Sequence, residues 1–343
     1  MDFLIISHRP ARGGAVELYP RFDTRTRKGK DLMTKGGDFY AVWDEENGLW
    51  SKSQDTVIDL IDAELDKYKE EHPLEESYYT VKYMYDSDSG SIDKWKKYVT
   101  KQLPPNHFHQ LDQKIIFANT PVNKKDYASF RLPYSLTDGE FNAWDTLVGR
   151  LYSPEERMKI EWAIGAIVCG DSKYIQKFLV FYGDHGTGKS TILKIIQAMF
   201  TLDKERKYCT SFDSEKLGAR SSDFALEPFK NSPLIAIEQD GDLSKIETNT
   251  RLNSLVSHEN QIVNAKFERM YESQFNCMLF MGTNKPVRIT DSRSGIIRRL
   301  IDVYPSGNTF PADEYLKLTE AVKYEYGAIA KHCLDVYSAN KRK

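Results

Sequence analysis

The chain has 343 residues, with 48 Lys and Arg against 50 Asp and Glu, giving a net charge of −2 and a pI near 6.4. Hydrophobic residues make up 40% and charged residues 29%, an ordinary globular balance that excludes a disordered chain. Near-neutrality excludes a surface coated with cations, so any nucleic-acid contact must gather its basic groups in one place.

At roughly 150 residues per domain the length predicts about two domains. The longest clean apolar run, Phe178 to Tyr182, falls far short of the roughly 18 residues a membrane helix needs. The opening MDFLIISHRPARGG has no basic stretch ahead of its short apolar run, so no signal peptide is expected. Cys169, Cys209, Cys277 and Cys333 form no CxxC pair. That spacing argues against structural zinc or a disulfide scaffold and suits a reducing cytoplasm.

In chain order, Arg21, Arg25, Arg27, Lys28 and Lys30 form a basic run, read as a solvated segment. Tyr40 to Trp50 predicts a hairpin around Asn47-Gly48. Asp55 to Glu71 predicts an amphipathic helix, with Val57, Ile61, Leu65 and Tyr68 on one stripe and Asp55 able to cap it. Ser87 to Ser91 reads as a loop, and Asp93 to Leu103 as a helix ended by Pro104-Pro105. Residues 154–168 predict a further helix, with Pro154 at its start and Glu155 and Glu156 at the positive end of its dipole. From about 175 onward, short apolar strands alternate with helical segments, the pattern of a parallel α/β sheet. The boundary is placed near 150–172, giving 1–150, 151–305 and a helical segment over 306–343.

The strongest local signal is Gly183-Asp184-His185-Gly186-Thr187-Gly188-Lys189-Ser190, a G-x-x-x-x-G-K-[ST] loop between an apolar strand and a helix over 190–200. Glycines let the backbone curl its N–H groups onto phosphate oxygens, and the helix N-terminus adds partial positive charge. Lys189 is expected on the β and γ phosphates of ATP, and the Ser190 hydroxyl on Mg²⁺. Residues 183–191, Thr191 included, form the expected nucleotide-binding set. His185 is not required by that chemistry and reads as an exposed loop histidine.

Hydrolysis needs an acid at a nearby strand end. The strand over 233–237 runs into Glu238-Gln239-Asp240-Gly241-Asp242. Glu238 directly follows the apolar run, which favours it for the metal. Asp240 is the next choice, as ligand or base, and Asp242 is suited to capping the helix after it. A third apolar strand, 276–282, ends at Thr283-Asn284, which puts an amide where it can bond the γ-phosphate or the attacking water. Arg298 and Arg299 precede a last strand. An arginine supplied by a neighbouring subunit can neutralise a transferring phosphoryl group.

Taken in order, GDHGTGKST, PLIAIEQDGDL, SHENQIVNAKFERMY, LFMGTNKP and SGIIRRLIDV resemble the superfamily 3 helicases, specifically the ATPase half of phage and poxvirus primase-helicase proteins. The likeness covers roughly 150–305, with KIEWAIGAIVCGD similar to the helical collar upstream. It implies an α/β fold of the AAA+ P-loop type, a parallel sheet flanked by helices behind a mixed α+β accessory domain. It also implies a ring, usually hexameric, with ATP at subunit interfaces and single-stranded or forked DNA in the pore. Other replication proteins are possible partners and a membrane is not. The location implied is the cytoplasm, that of the host cell for a phage protein.

By this likeness Lys189 and Ser190 carry the Walker A roles, and Glu238 or Asp240 the Walker B role. Asn284 is the sensor and Arg298 or Arg299 the trans finger. Lys266, with Phe267 and Arg269, falls in the pore hairpin that grips DNA. Gln239 interrupts the usual adjacent acidic pair. No primase site is found, since Asp86, Asp88 and Asp93 read as solvated. The alternatives are an AAA+ remodeller or loader acting on a protein, or a nucleotide-switched ring that holds DNA without unwinding it.

Overall fold

The computed structural model describes residues 1, 3–22, 32–35, 39–86, 88, 90–102, 110–220, 222–264, 270–285 and 295–341. Two compact units emerge: residues 1–111 with 122–129, and residues 112–121 with 130–343.

The first unit is mixed α+β. Its strands are β1 (Leu4–Pro10), β2 (Val16–Phe22), β3 (Leu32–Lys35), β4 (Phe39–Asp44) and β5 (Leu49–Trp50). They are followed by α1 (Gln54–Glu71), β6 (Tyr79–Val81) and α2 (Ser91–Gln102). The predicted hairpin is β4–β5, with Trp43 opposite Trp50 and the Asp44 carboxylate holding the Glu46 and Asn47 amides at 3.0 and 3.2 Å. The stripe of α1 is buried at Val57, Ile61 and Leu65. Its cap is Ser53, whose hydroxyl accepts from the Thr56 amide at 3.1 Å, and not Asp55, which lies in the first turn. Asp86, Asp88 and Asp93 are exposed.

The second unit opens with α3 (Asn142–Leu151), α4 (Pro154–Cys169), β7 (Phe178–Tyr182) and α5 (Lys189–Met199). Next come β8 (Cys209–Ser211), α6 (Ser214–Gly218), β9 (Ile235–Glu238), α7 (Thr250–Val256), β10 (Gln261–Val263) and β11 (Tyr271–Ser273). It closes with β12 (Met278–Thr283), β13 (Leu300–Val303), α8 (Ala312–Ala321) and α9 (Tyr326–Asn340). Five strands form one sheet in the order β13-β7-β12-β9-β8, and every pairing is parallel.

Both faces are covered, which is why the strands read as continuous apolar runs. Side chains alternate across the pleat. Leu179, Phe181, Ile235, Ile237, Met278 and Phe280 join the core shared with α3, α4, α5 and α9. Phe178, Val180, Ala236, Leu279 and Met281 join the core beneath α6 and α7. The fold is thus the α/β P-loop fold of AAA+ type that the sequence implied, a parallel sheet flanked by helices. The helical segment predicted over 306–343 is broken by a tighter turn at Val322–Tyr324 between α8 and α9. Among the described residues no helix is long and apolar enough to cross a membrane.

Candidate functional site

The loop between β7 and α5 takes its shape from glycines that have no room for a side chain. Gly183 has φ 133°, and a Cβ there would lie 2.7 Å from Pro305 Cγ. Gly188 has φ 87° and would meet Leu151 Cδ1 at 2.7 Å. Both sit in the region that only glycine occupies at low cost. The loop turns into α5 and leaves a cavity of about 430 Å³. The cavity is walled by residues 185–191 on one side, by Gln239, Asp240 and Asn284 at the neighbouring strand ends, and by Leu151, Thr309, Phe310, Ala312 and Tyr315.

Lys189 is buried at 6% exposure. Its ammonium donates to the Gly183 carbonyl, to the Asp184 carbonyl at 2.9 Å and to Asn284 Oδ1 at 2.7 Å. Burial pushes its pKa below the ordinary lysine value, while Asp240 and Asp184 pull the other way. The other end of the Asn284 amide donates to Asp240 Oδ1 at 3.3 Å and lies 3.4 Å from His185 Nε2. Cation, amide and carboxylate therefore run in sequence along the cavity. Ser190 is exposed at its edge, as is His185. The Thr187 hydroxyl donates to the Asp184 carbonyl at 2.8 Å.

The three acids separate. Glu238 is the last residue of β9 and shares the face of Ala236, which points toward α6 and away from the cavity. There its Oε1 accepts from the Ser214 amide at 3.0 Å and from the Ser214 hydroxyl at 3.1 Å. Its Oε2 is buried without a partner, and burial raises its pKa to about 7. Strand alternation thus turns Glu238, the residue expected first on the metal, toward Ser214, and the carboxylate that lines the cavity is Asp240. Asp242 is held by Lys285 at 2.7 Å and caps a short turn through the Ser244 amide at 3.1 Å. The Lys285 ammonium, with the Ser244 bonds, pulls the Asp242 pKa down to about 2.

The arginines lie at the far end of the sheet. Leu300 pairs with Phe178, at the start of β7, whereas the loop follows Tyr182 at its end. Five residues of strand separate the two, roughly 16 Å at 3.3 Å per residue. The Arg299 guanidinium is tied to Ser257 Oγ at 2.7 Å and to the Gly295 carbonyl at 2.9 Å. Arg298 is exposed, and among the described residues no hydrogen bond or ion pair engages its guanidinium.

Strands β10 and β11 pair antiparallel, Ile262 opposite Glu272, as the flanks of a hairpin. Lys266, Phe267 and Arg269 fall between them, outside the described residues. His258, buried and at φ 55°, ties the base of this hairpin to the approach of β7. Its ring nitrogens lie 2.7 Å from the Phe275 carbonyl and 2.9 Å from the Ile175 carbonyl.

Sequence reasoning missed the wall contributed by 309–315. The Tyr315 hydroxyl bonds Thr191 Oγ1 across 124 positions of chain, and no local motif marks it. Gln239, noted only as an interruption, lines the cavity with its Oε1 buried and unpartnered.

A family model described as "Family of unknown function (DUF5906)" matches residues 181–299, from the end of β7 through Arg299. No curated protein matches the chain. Among solved structures the chain is similar to "The A form apo structure of NrS-1 C terminal region-CTR", with 12% identity and TM-score 0.50 over 88% of this chain and 65% of that one. It is also similar to "The apo structure of NrS-1 C terminal region (305-718)", with 11% identity and TM-score 0.50 over 90% and 70%. A more distant likeness is to "SCCmec type IV Cch - active helicase", with 15% identity and TM-score 0.41 over 95% and 59%. At such identities the likeness to the NrS-1 region is one of fold. The chain spans about 65% of the first of these structures.

Proposed function

We propose that the chain is an ATP-driven DNA motor of the superfamily 3 helicase type, acting as a ring of identical subunits. The observation that carries this reading is the sequence of groups around one cavity: Lys189, Asn284 and Asp240, linked by hydrogen bonds at 2.7 and 3.3 Å. The Lys189 ammonium is satisfied by two loop carbonyls and an amide oxygen, all neutral partners. A γ-phosphate is a stronger one, because it adds the attraction of opposite charges to the hydrogen bond. Binding it would release Asn284 Oδ1 to orient the attacking water. Asp240, two residues past the strand, is then the carboxylate able to accept that water's proton.

The residues present also suit a magnesium ion. Among the described residues no group of three or more His, Cys, Asp or Glu is gathered for a metal, and a phosphate-bound magnesium needs none, since phosphate oxygens and water together supply most of its ligands. Ser190 and Asp240 would hold it, and when bound it neutralises charge developing on the phosphate oxygens. Leu151, Phe310 and Tyr315 offer an apolar wall for the base.

The placement of Arg298 supports interfacial catalysis. It stands at the sheet end opposite its own loop, exposed and unengaged among the described residues, so its use in phosphoryl transfer is to a neighbour. DNA would be gripped by the hairpin carrying Lys266, Phe267 and Arg269. The test is steady-state ATP hydrolysis with and without single-stranded DNA. Single strands are expected to stimulate turnover, and Lys189→Ala to reduce it to background. Turnover that survives Lys189→Ala defeats the reading.

A further inference from the structure

The first unit carries a groove of about 420 Å³ that the nucleotide chemistry does not use. It lies between β2 and α2 and is lined by Tyr19, Arg21, Phe22, Lys94, Lys97 and Tyr98, with Pro20. Local structure explains the lining. Along β2, Leu18 and Pro20 are buried while Arg21 is exposed, the alternation of a strand with one covered face. Strand β6 pairs with β2 only from Val16 to Leu18, so among the described residues no strand covers that edge from Tyr19 onward. Lys94 and Lys97, three apart on α2, share a helix face, and both are exposed.

The floor is aromatic and fixed. Phe22 stacks on Tyr98 with centroids 5.5 Å apart and an interplanar angle of 26°, and it packs on Trp95 at 5.1 Å. At the rim the Arg9 guanidinium lies 5.3 Å from the Tyr19 ring centroid. Among the described residues no carboxylate pairs with Arg21, Lys94 or Lys97. Glu17, the acid on β2, is taken by Arg9 at 2.5 Å and Lys82 at 3.9 Å. Three cations, with no carboxylate partner among the described residues, thus line one aromatic groove in a chain of net charge −2. Such like charges repel until an anion comes between them.

The chemistry of the lining selects the anion. A small inorganic ion uses the cations and leaves the rings idle, and so does an acidic peptide. A duplex keeps its bases stacked out of reach. A single strand uses both kinds of group, phosphates on the cations and a base on a ring. We propose that this groove binds single-stranded nucleic acid, as a contact separate from the pore hairpin. The proposal goes beyond the ring-motor reading and does not rest on it.

The test uses the full chain without nucleotide or magnesium, in a Lys266→Ala background that silences the hairpin contact. Binding of a labelled oligothymidylate of about ten nucleotides, within the site sizes usual for such grooves, is followed by fluorescence anisotropy across a salt series. Adding Lys94→Ala and Lys97→Ala together is expected to weaken binding and to lower the slope of log K against log salt by about 1.4, or 0.7 for each lost contact to a single strand. Tyr19→Ala is expected to weaken binding roughly tenfold with the slope unchanged, as loss of one stacked base implies. The lysine pair is surface-exposed, so it keeps the test open should Tyr19→Ala fail to fold. Basal ATP hydrolysis without DNA is expected to be unchanged in both variants. Loss of hydrolysis elsewhere, with this binding intact, would count against the motor and not against the groove. The proposal is overturned if neither variant alters binding or slope, or if polyglutamate displaces the oligonucleotide at equal charge concentration.

Discussion

Two residues separate Glu238 from Asp240, and their environments differ because one ends a strand and the other lies beyond it. Glu238 obeys the alternation of β9 and is buried against Ser214, which raises its pKa from 4.5 to about 7. Asp240 has left the strand and is exposed beside Asn284. A carboxyl protonated more readily in the folded chain than in the unfolded one adds stability below its unfolded pKa. That stability is lost as pH rises through the folded value. In magnesium-free buffer, the wild-type chain is therefore expected to lose about 3 kcal/mol between roughly pH 4.5 and 7 relative to Glu238→Gln. Urea denaturation of both proteins across that range checks this. Parallel pH profiles would mean that the carboxyl is solvated and that the assignment of roles is wrong. This distinction was not legible in the sequence, because it turns on whether the strand ends at 237 or at 238. The loop glycines were legible, since positive φ and close approach leave a local mark in composition.

At the scale of elements, α4 and α9 cross so closely that Gly165 leaves no space for a methyl group. A Cβ there would come within 2.0 Å of the Cys333 carbonyl oxygen and 2.6 Å of Tyr337 Cβ. Alanine favours a helix over glycine by about 1 kcal/mol, but the clash is with backbone, which cannot swing aside. Gly165→Ala is expected to lower stability by about 3 kcal/mol, the upper range for overpacking, seen as a lower urea midpoint at unchanged slope. An unchanged midpoint would mean that the two helices are not in contact. The strands of the parallel sheet were readable because both faces are apolar. Strands β1 and β2 were not, because β2 carries Pro20 and polar residues at alternate positions and β1 is mostly uncovered. The break between α8 and α9 was hidden because apolar spacing continues through it.

At the scale of the molecule, the order of motifs along the chain foretold the sheet, and the parallel register then sets how far the loop stands from the arginines. The glycine loop leaves one end of β7, and Arg298 stands at the other. Within one chain the two stand apart, and in the proposed ring they would meet across an interface between subunits. Neither Tyr315 on its cavity wall nor the place of Arg298 at the far sheet end was legible, since each depends on contacts more than a hundred positions apart. The most direct measurement is steady-state ATP hydrolysis by Lys189→Ala and Arg298→Ala proteins, alone and mixed in equal amounts on single-stranded DNA. Each alone is expected to be inactive, with Arg298→Ala still binding nucleotide. The mixture is expected to recover up to about a quarter of wild-type turnover, because one interface in four joins an intact loop to an intact arginine in a randomly mixed ring. Full activity of Arg298→Ala alone, or no recovery in mixtures that demonstrably co-assemble, would contradict the account.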